Sequence, residues 1–168
     1  MWRRVEGYFS RRREGVRVAR AFVELGLRVG RDGRPYLGDV RVGDSALARA
    51  LGVDRRVVRS VCEQILRDPE LRSVFMKLKP IGASLELVAS ELGYTVLTVY
   101  ADPHKPGVLA GVASALAEKG LVVRQALADD PDLVPEPKLT LIVEGQVPAE
   151  VLAKIHALPQ VKALKVSK

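Results

Sequence analysis

The chain has 168 residues, 48% of them hydrophobic and 28% charged, with a formal net charge of +7 at pH 7. That length holds one domain or two small ones with adequate cores, and the composition is that of a globular chain rather than a disordered or fibrous one. The single Cys62 excludes an internal disulfide, and two histidines beside it give no metal-ligand spacing, so neither a metal nor a resident cofactor is expected. No stretch reaches the roughly 20 apolar residues of a membrane span, and the arginine-rich start "MWRRVEGYFSRRREG" contains no apolar signal region. A reduced, cytoplasmic protein with no membrane partner is the expectation.

The charge is unevenly placed. Residues 1–92 hold 19 Lys/Arg against 12 Asp/Glu, whereas residues 93–168 hold eight of each, so the first part carries the whole surplus. Seventeen of those 19 cations are arginine, the side chain suited to planar, two-pronged contact with phosphate or guanine. An ion-paired surface is the competing explanation, and the asymmetry favours nucleic acid over it.

In chain order, "VEGYFSRRREGVRVARAFVELG" predicts a first helix with Trp2, Val5, Phe9, Val16, Ala19 and Val23 on one stripe, weakened slightly at Gly15 and ending at Gly26. "LRVGRDGRPYLGDVRV" has turn signals at Asp32-Gly33 and Pro35 between β-like pieces and predicts a small hairpin. In "DSALARALGVDRRVVRSVCEQIL", Asp44 is placed to cap a helix through Leu51, Gly52 to make a sharp turn, and Asp54 to cap a second helix to about Leu66. Leu47, Ala48, Leu51, Val53, Val58 and Val61 are spaced to pack the two helices across that turn, which is the helix-turn-helix pattern. Arg55, Arg56, Arg59 and Ser60 then fall on the exposed side of the second helix, and Ser45 at the start of the first. These are the candidate DNA contacts. "DPELRSVFMKL" predicts a further helix, and "SLELVASELG" another, capped by Ser84 and stopped by Gly93. Cys62, between Val61 and Ile65, reads as a small core residue.

Beyond Gly93 the texture changes. "TVLTVYA", "LVVRQALA", "LTLIVEG" and "VKALKV" are strands, with helices over Pro106 to Lys119 and in "PAEVLAKIHAL". Two βαβ units in that space predict a ferredoxin-like βαββαβ fold, an antiparallel four-stranded sheet under two helices. Leu139, Leu141 and Val143 share one face of the third strand. Lys162 and Lys165 fall on opposite faces of the last, so a partner subunit is expected to cover one side of the sheet. The whole is an α+β chain with an N-terminal helical domain over 1–92 and a βαββαβ domain over 93–168.

The turn "ADPHKPGVLAGVASALAEKGLVV" has too few glycines for a phosphate loop or a dinucleotide fingerprint, and Gly111 lies inside the helix, where it favours close packing. Asp102-Pro103-His104-Lys105-Pro106-Gly107-Val108-Leu109 resembles the loop of the ACT domain, a resemblance that extends over residues 95–167. It implies dimerisation and an amino-acid ligand. Asp102, His104 and Lys105 would be polar loop contacts, and the backbone at Gly107, Val108 and Leu109 would meet a carboxylate. Val122 would contribute from a neighbouring subunit. Nearly the whole chain resembles small archaeal-type proteins described as predicted regulators of amino-acid metabolism with an ACT domain.

Together these readings predict an amino-acid-responsive regulator that binds duplex DNA as a homodimer or higher even oligomer assembled through its second domain. The alternative is an amino-acid-sensing subunit that regulates a metabolic enzyme by protein contact, without DNA. Catalysis has no support: no nucleophile–base pair is evident, and Asp129-Asp130 reads as a solvated strand end. No catalytic residue is assigned.

Overall fold

The computed structural model describes residues 2–10 and 12–167, without the side chains of Arg3 and Arg4. It has seven α-helices and two antiparallel sheets among the described residues, in two units, Met1–Gly82 and Ala83–Lys168. No helix among these residues is long and apolar enough to cross a membrane.

The first unit opens with α1 (Trp2–Phe9) and α2 (Arg13–Leu25), two helices where one was expected. The break falls in the run "SRRR", which offers no apolar side chain to anchor a continuing turn. There the Ser10 hydroxyl donates to the Gly7 carbonyl at 3.0 Å. Trp2, Val5 and Phe9 are buried from α1, and Val18, Ala19 and Phe22 from α2. The stop at Gly26 is as expected: φ is +64°, and an added Cβ would sit 2.6 Å from the Lys79 carbonyl oxygen.

Next come β1 (Leu27–Val29), β2 (Pro35–Leu37) and β3 (Val40–Arg41), the expected hairpin with one more short strand. The Arg28 guanidinium lies 4.6 Å from the centre of the Tyr36 ring, whose hydroxyl donates to Asp32 Oδ2 at 3.0 Å. Three helices close the unit: α3 (Asp44–Leu51), α4 (Arg55–Arg67) and α5 (Pro69–Phe75). Asp68 caps α5 by accepting from the Glu70 and Leu71 amides at 2.9 Å. Phe22, Val29, Val58, Ile65 and Phe75 are fully buried, and the two phenyl rings meet edge to face at 6.3 Å.

The second unit contains β4 (Tyr94–Ala101), α6 (Val108–Ala117), β5 (Val123–Ala128), β6 (Lys138–Glu144), α7 (Ala149–His156) and β7 (Val161–Ser167). Its sheet runs β5-β6-β4-β7, antiparallel throughout, the strand order of a split βαβ arrangement. One face presents Leu97, Val99, Leu139, Leu141 and Val143, which form a core with Val112, Leu116, Val151 and Ile155 from the two helices. Gly111 lets α6 approach the segment after α7. A Cβ there would meet Leu158 Cδ1 at 3.0 Å.

The other sheet face brings two corrections. Residues 84–92 were expected to form a helix of the first unit, capped by Ser84 and stopped by Gly93. They form only the 3-10 turn Glu86–Val88, and they belong to the second unit as a strap across its sheet. The Gln125 side chain donates to the Ala83 carbonyl at 2.9 Å and accepts from the Leu85 amide at 3.0 Å, which holds that backbone out of helical geometry. Lys138 Nζ pairs with Glu86 at 3.3 Å, and Ala89 is buried with Val96 and Ile142. Leu87 and Leu92 stay exposed, so little apolar burial repays helix nucleation. Ser84 makes a local turn, its hydroxyl accepting from the Glu86 amide at 3.3 Å. The chain's own strap thus covers this face at Val96 and Ile142.

The division at Gly82 rather than 92 also sharpens the charge asymmetry. Glu86 and Glu91 move to the second unit, leaving 19 Lys/Arg against 10 Asp/Glu in the first and 8 against 10 in the second.

Candidate functional site

The α3–α4 hairpin follows from its sequence. Gly52, at φ +62°, ends α3 by donating its amide to the Ala48 and Arg49 carbonyls, a left-handed cap that costs other residues more. Asp54 then caps α4, its carboxylate accepting from the Arg56 amide at 2.7 Å. Leu47 and Ala48 of α3 and Val58 and Val61 of α4 are buried where the helices pack, while Leu51 and Val53 are half-buried.

Asp44 does not cap α3. Gly43 occupies that position, and the Asp44 carboxylate is instead gripped by two guanidiniums, Arg34 Nη1 at 2.5 Å and Arg59 Nε at 2.9 Å. Its side chain is only 9% exposed, so this two-cation clamp compensates a largely desolvated charge. The clamp ties the hairpin sheet, α3 and α4 together and orients Arg59.

Ser45, Arg55 and Arg56 are exposed, and neither arginine has a side-chain hydrogen bond or ion pair among the described residues. Ser60 is half-buried and accepts from Arg12 Nη1 at 3.4 Å. Arg55, Arg56, Arg59 and Ser60 thus share the outer side of α4, two of them free and two engaged. Arg12 and Arg34 were not singled out by the sequence reading, because each reaches its partner across a chain separation with no local signal.

Cys62 lies on the inner side of α4, fully buried. Burial, with a smaller contribution from the nearby Asp44 charge, pushes its thiol up to about 12. The native protein is therefore expected to resist iodoacetamide at pH 8 and to react at once when denatured. Rapid native labelling, followed by mass spectrometry, would contradict the core assignment.

In the second unit a cavity of about 260 Å³ opens beside the loop that follows β4. Asp102, Lys105, Gly107, Val108 and Leu109 line it, with Val99 and Leu139 on its floor and Asp129, Pro131 and Pro137 from the β5–β6 connection opposite. Gly107, at φ +90°, turns the chain into α6. Asp102 Oδ1 accepts from the His104 amide at 3.1 Å, which holds the loop closed on itself. His104 is exposed and does not line the cavity, and Val122, expected to contribute from a neighbouring subunit, is exposed just before β5. The structure thus gathers five of the six loop positions at this cavity, with Asp129 beside them. Asp129 Oδ2 accepts from the Lys138 amide at 3.2 Å. Among the described residues no group of three or more His, Cys, Asp or Glu is placed to hold a metal.

No family model matches the chain, and no curated protein matches it. Among solved structures, a homoserine dehydrogenase from Thiobacillus denitrificans is 21% identical over 76% of this chain and 28% of its own, with a TM-score of 0.34. A transcriptional regulatory protein of the AsnC family from Pyrococcus furiosus is 14% identical over 75% of this chain and 77% of its own, with a TM-score of 0.29. The chain spans just over a quarter of the length of the dehydrogenase. Superpositions this loose decide nothing about function.

Proposed function

We propose that the chain is an amino-acid-responsive, DNA-binding regulator of amino-acid metabolism, working as a homodimer. The first unit is a helix-turn-helix head with α4 as recognition helix, and the second is an ACT-like sensing and dimerising domain. One observation carries this reading. The unit holding the whole charge surplus presents Arg55 and Arg56, unpaired and adjacent, at the start of a helix braced by α3. Arginines in the first turns of a helix laid in the major groove meet guanine edges and phosphates. A dimer would read two half-sites roughly 34 Å apart. The test is a mobility-shift titration of the full chain on duplex DNA at modest salt, where absence of any shifted species would sink the reading.

The sensing half rests on the cavity. At about 260 Å³ it is at the small end of ligand sites, suited to a metabolite of amino-acid size and too small for a nucleotide. Carboxylates at Asp102 and Asp129 would face the ammonium group, Lys105 and the first amides of α6 the carboxylate, and Val99 and Leu139 the side chain. No catalytic step is assigned to this chain. Calorimetric titration with the twenty amino acids identifies the ligand. Gly107→Ala should then weaken it roughly tenfold, since an L side chain strains at positive φ. His104→Ala should act less, because that side chain stands off the cavity wall. Parent-like binding by both variants would place the ligand elsewhere. Ligand binding with co-purification of an enzyme, and no DNA retained, would turn the reading to a regulatory subunit acting by protein contact.

A further inference from the structure

A groove of about 1180 Å³ runs along the flank of α4, closed on its other side by the junction of α1 and α2. Its two ends differ in charge. At one end Arg67 pairs with Glu63 at 3.6 Å and Asp68 is committed to capping α5, so the charges there are compensated internally. At the other, Arg12, Arg13 and Arg56 line the groove together with Glu14. Arg13 and Arg56 have no side-chain partner among the described residues, and Arg12 is held by the Ser60 hydroxyl at 3.4 Å. A groove end lined by three arginines and one glutamate raises the local concentration of an extended anion. This cationic end adjoins the first turns of α4, the part that would enter the major groove.

We infer that Arg12 and Arg13 form a second, sequence-independent row of contacts to the phosphates of a duplex seated on α4. Ser60 is then a positioning residue for Arg12 rather than a DNA contact. The phosphate strand bordering a major groove passes alongside the helix within it, and side chains on the flanking element meet that strand. This rests on the DNA-binding reading and adds to it residues that do not read bases.

Fluorescence anisotropy with the full chain and two duplexes of unrelated sequence, across a salt series, tests the inference. The variant Arg12→Ala/Arg13→Ala should bind both duplexes about tenfold more weakly, by the same factor on each. Its plot of log affinity against log salt should be shallower by about two, one for each phosphate that the variant no longer neutralises. Arg12→Lys/Arg13→Lys should keep the parental slope. Ser60→Ala should weaken binding in the parent and add nothing in an Arg12→Ala background. Both arginines are exposed, so circular dichroism melting should match the parent. A double-alanine variant with parental affinity and slope, while the parent binds, would overturn this inference alone. A parent that binds neither duplex would overturn the DNA-binding reading itself.

Discussion

Replacing Arg55 and Arg56 together with alanine is expected to remove duplex binding, with a loss of roughly 100-fold or more. Melting of the first unit should be unchanged. Both side chains are exposed and partnerless among the described residues, so their truncation takes nothing from the fold. Each guanidinium that grips a guanine edge contributes about 1–3 kcal/mol of discrimination, and two such contacts compound. Arg59 behaves differently. Removing it leaves the Asp44 carboxylate, only 9% exposed, with Arg34 alone. Adding Arg59→Ala therefore lowers stability as well as affinity, and the double variant is the cleaner probe. Parental affinity in that double variant would show that α4 does not face the nucleic acid.

The largest stability effect should come from Phe22→Ala. Phe22 is fully buried in the first unit and meets Phe75 edge to face at 6.3 Å. Its removal forfeits the transfer energy of the ring and leaves a cavity that α2 and α5 cannot readily close, at a cost of about 3–5 kcal/mol. That is a large part of the few kcal/mol expected for a unit of this size. The second unit has its own core around Leu97, Leu116, Leu141 and Ile155 and should keep its transition. Hydrogen exchange read separately over the two units distinguishes the outcomes. Loss of protection in the first alone supports two independent cores, and equal loss in both would contradict them.

Much of this was legible because local chemistry and tertiary packing agree along most of the chain. Gly26 and Gly52 mark helix ends at positive φ, Asp54 caps α4, and β5 alternates as an edge strand with one covered face requires, while the central β4 and β6 are buried on both faces. Expectation and structure part where distant partners decide. Leu85 to Leu92 have helical spacing, yet the Gln125 side chain, from the far edge of the sheet, fixes that backbone as a strap. Asp44 has the position of a cap, yet Arg34 and Arg59 claim its carboxylate. The α1–α2 break is a phase change between two apolar stripes that one continuous pattern concealed.

The site was legible in the same proportion. The arginines of α4 announce themselves by type and position, whereas Arg12 enters the site through a bond to Ser60, 48 residues away in the chain. The loop at Asp102 to Leu109 stood out by its order of residues. Asp129, across the cavity from it, could be found only once β5 and β6 were paired.

The most direct test of a ligand-responsive DNA-binding protein is one titration. The full chain is titrated against a labelled duplex of mixed sequence, by anisotropy over a salt series, with and without a mixture of the twenty amino acids. Saturable binding that weakens steeply with salt is expected, with an affinity that changes when amino acids are present. No binding at the lowest salt, or an affinity indifferent to both salt and amino acids, would contradict that function.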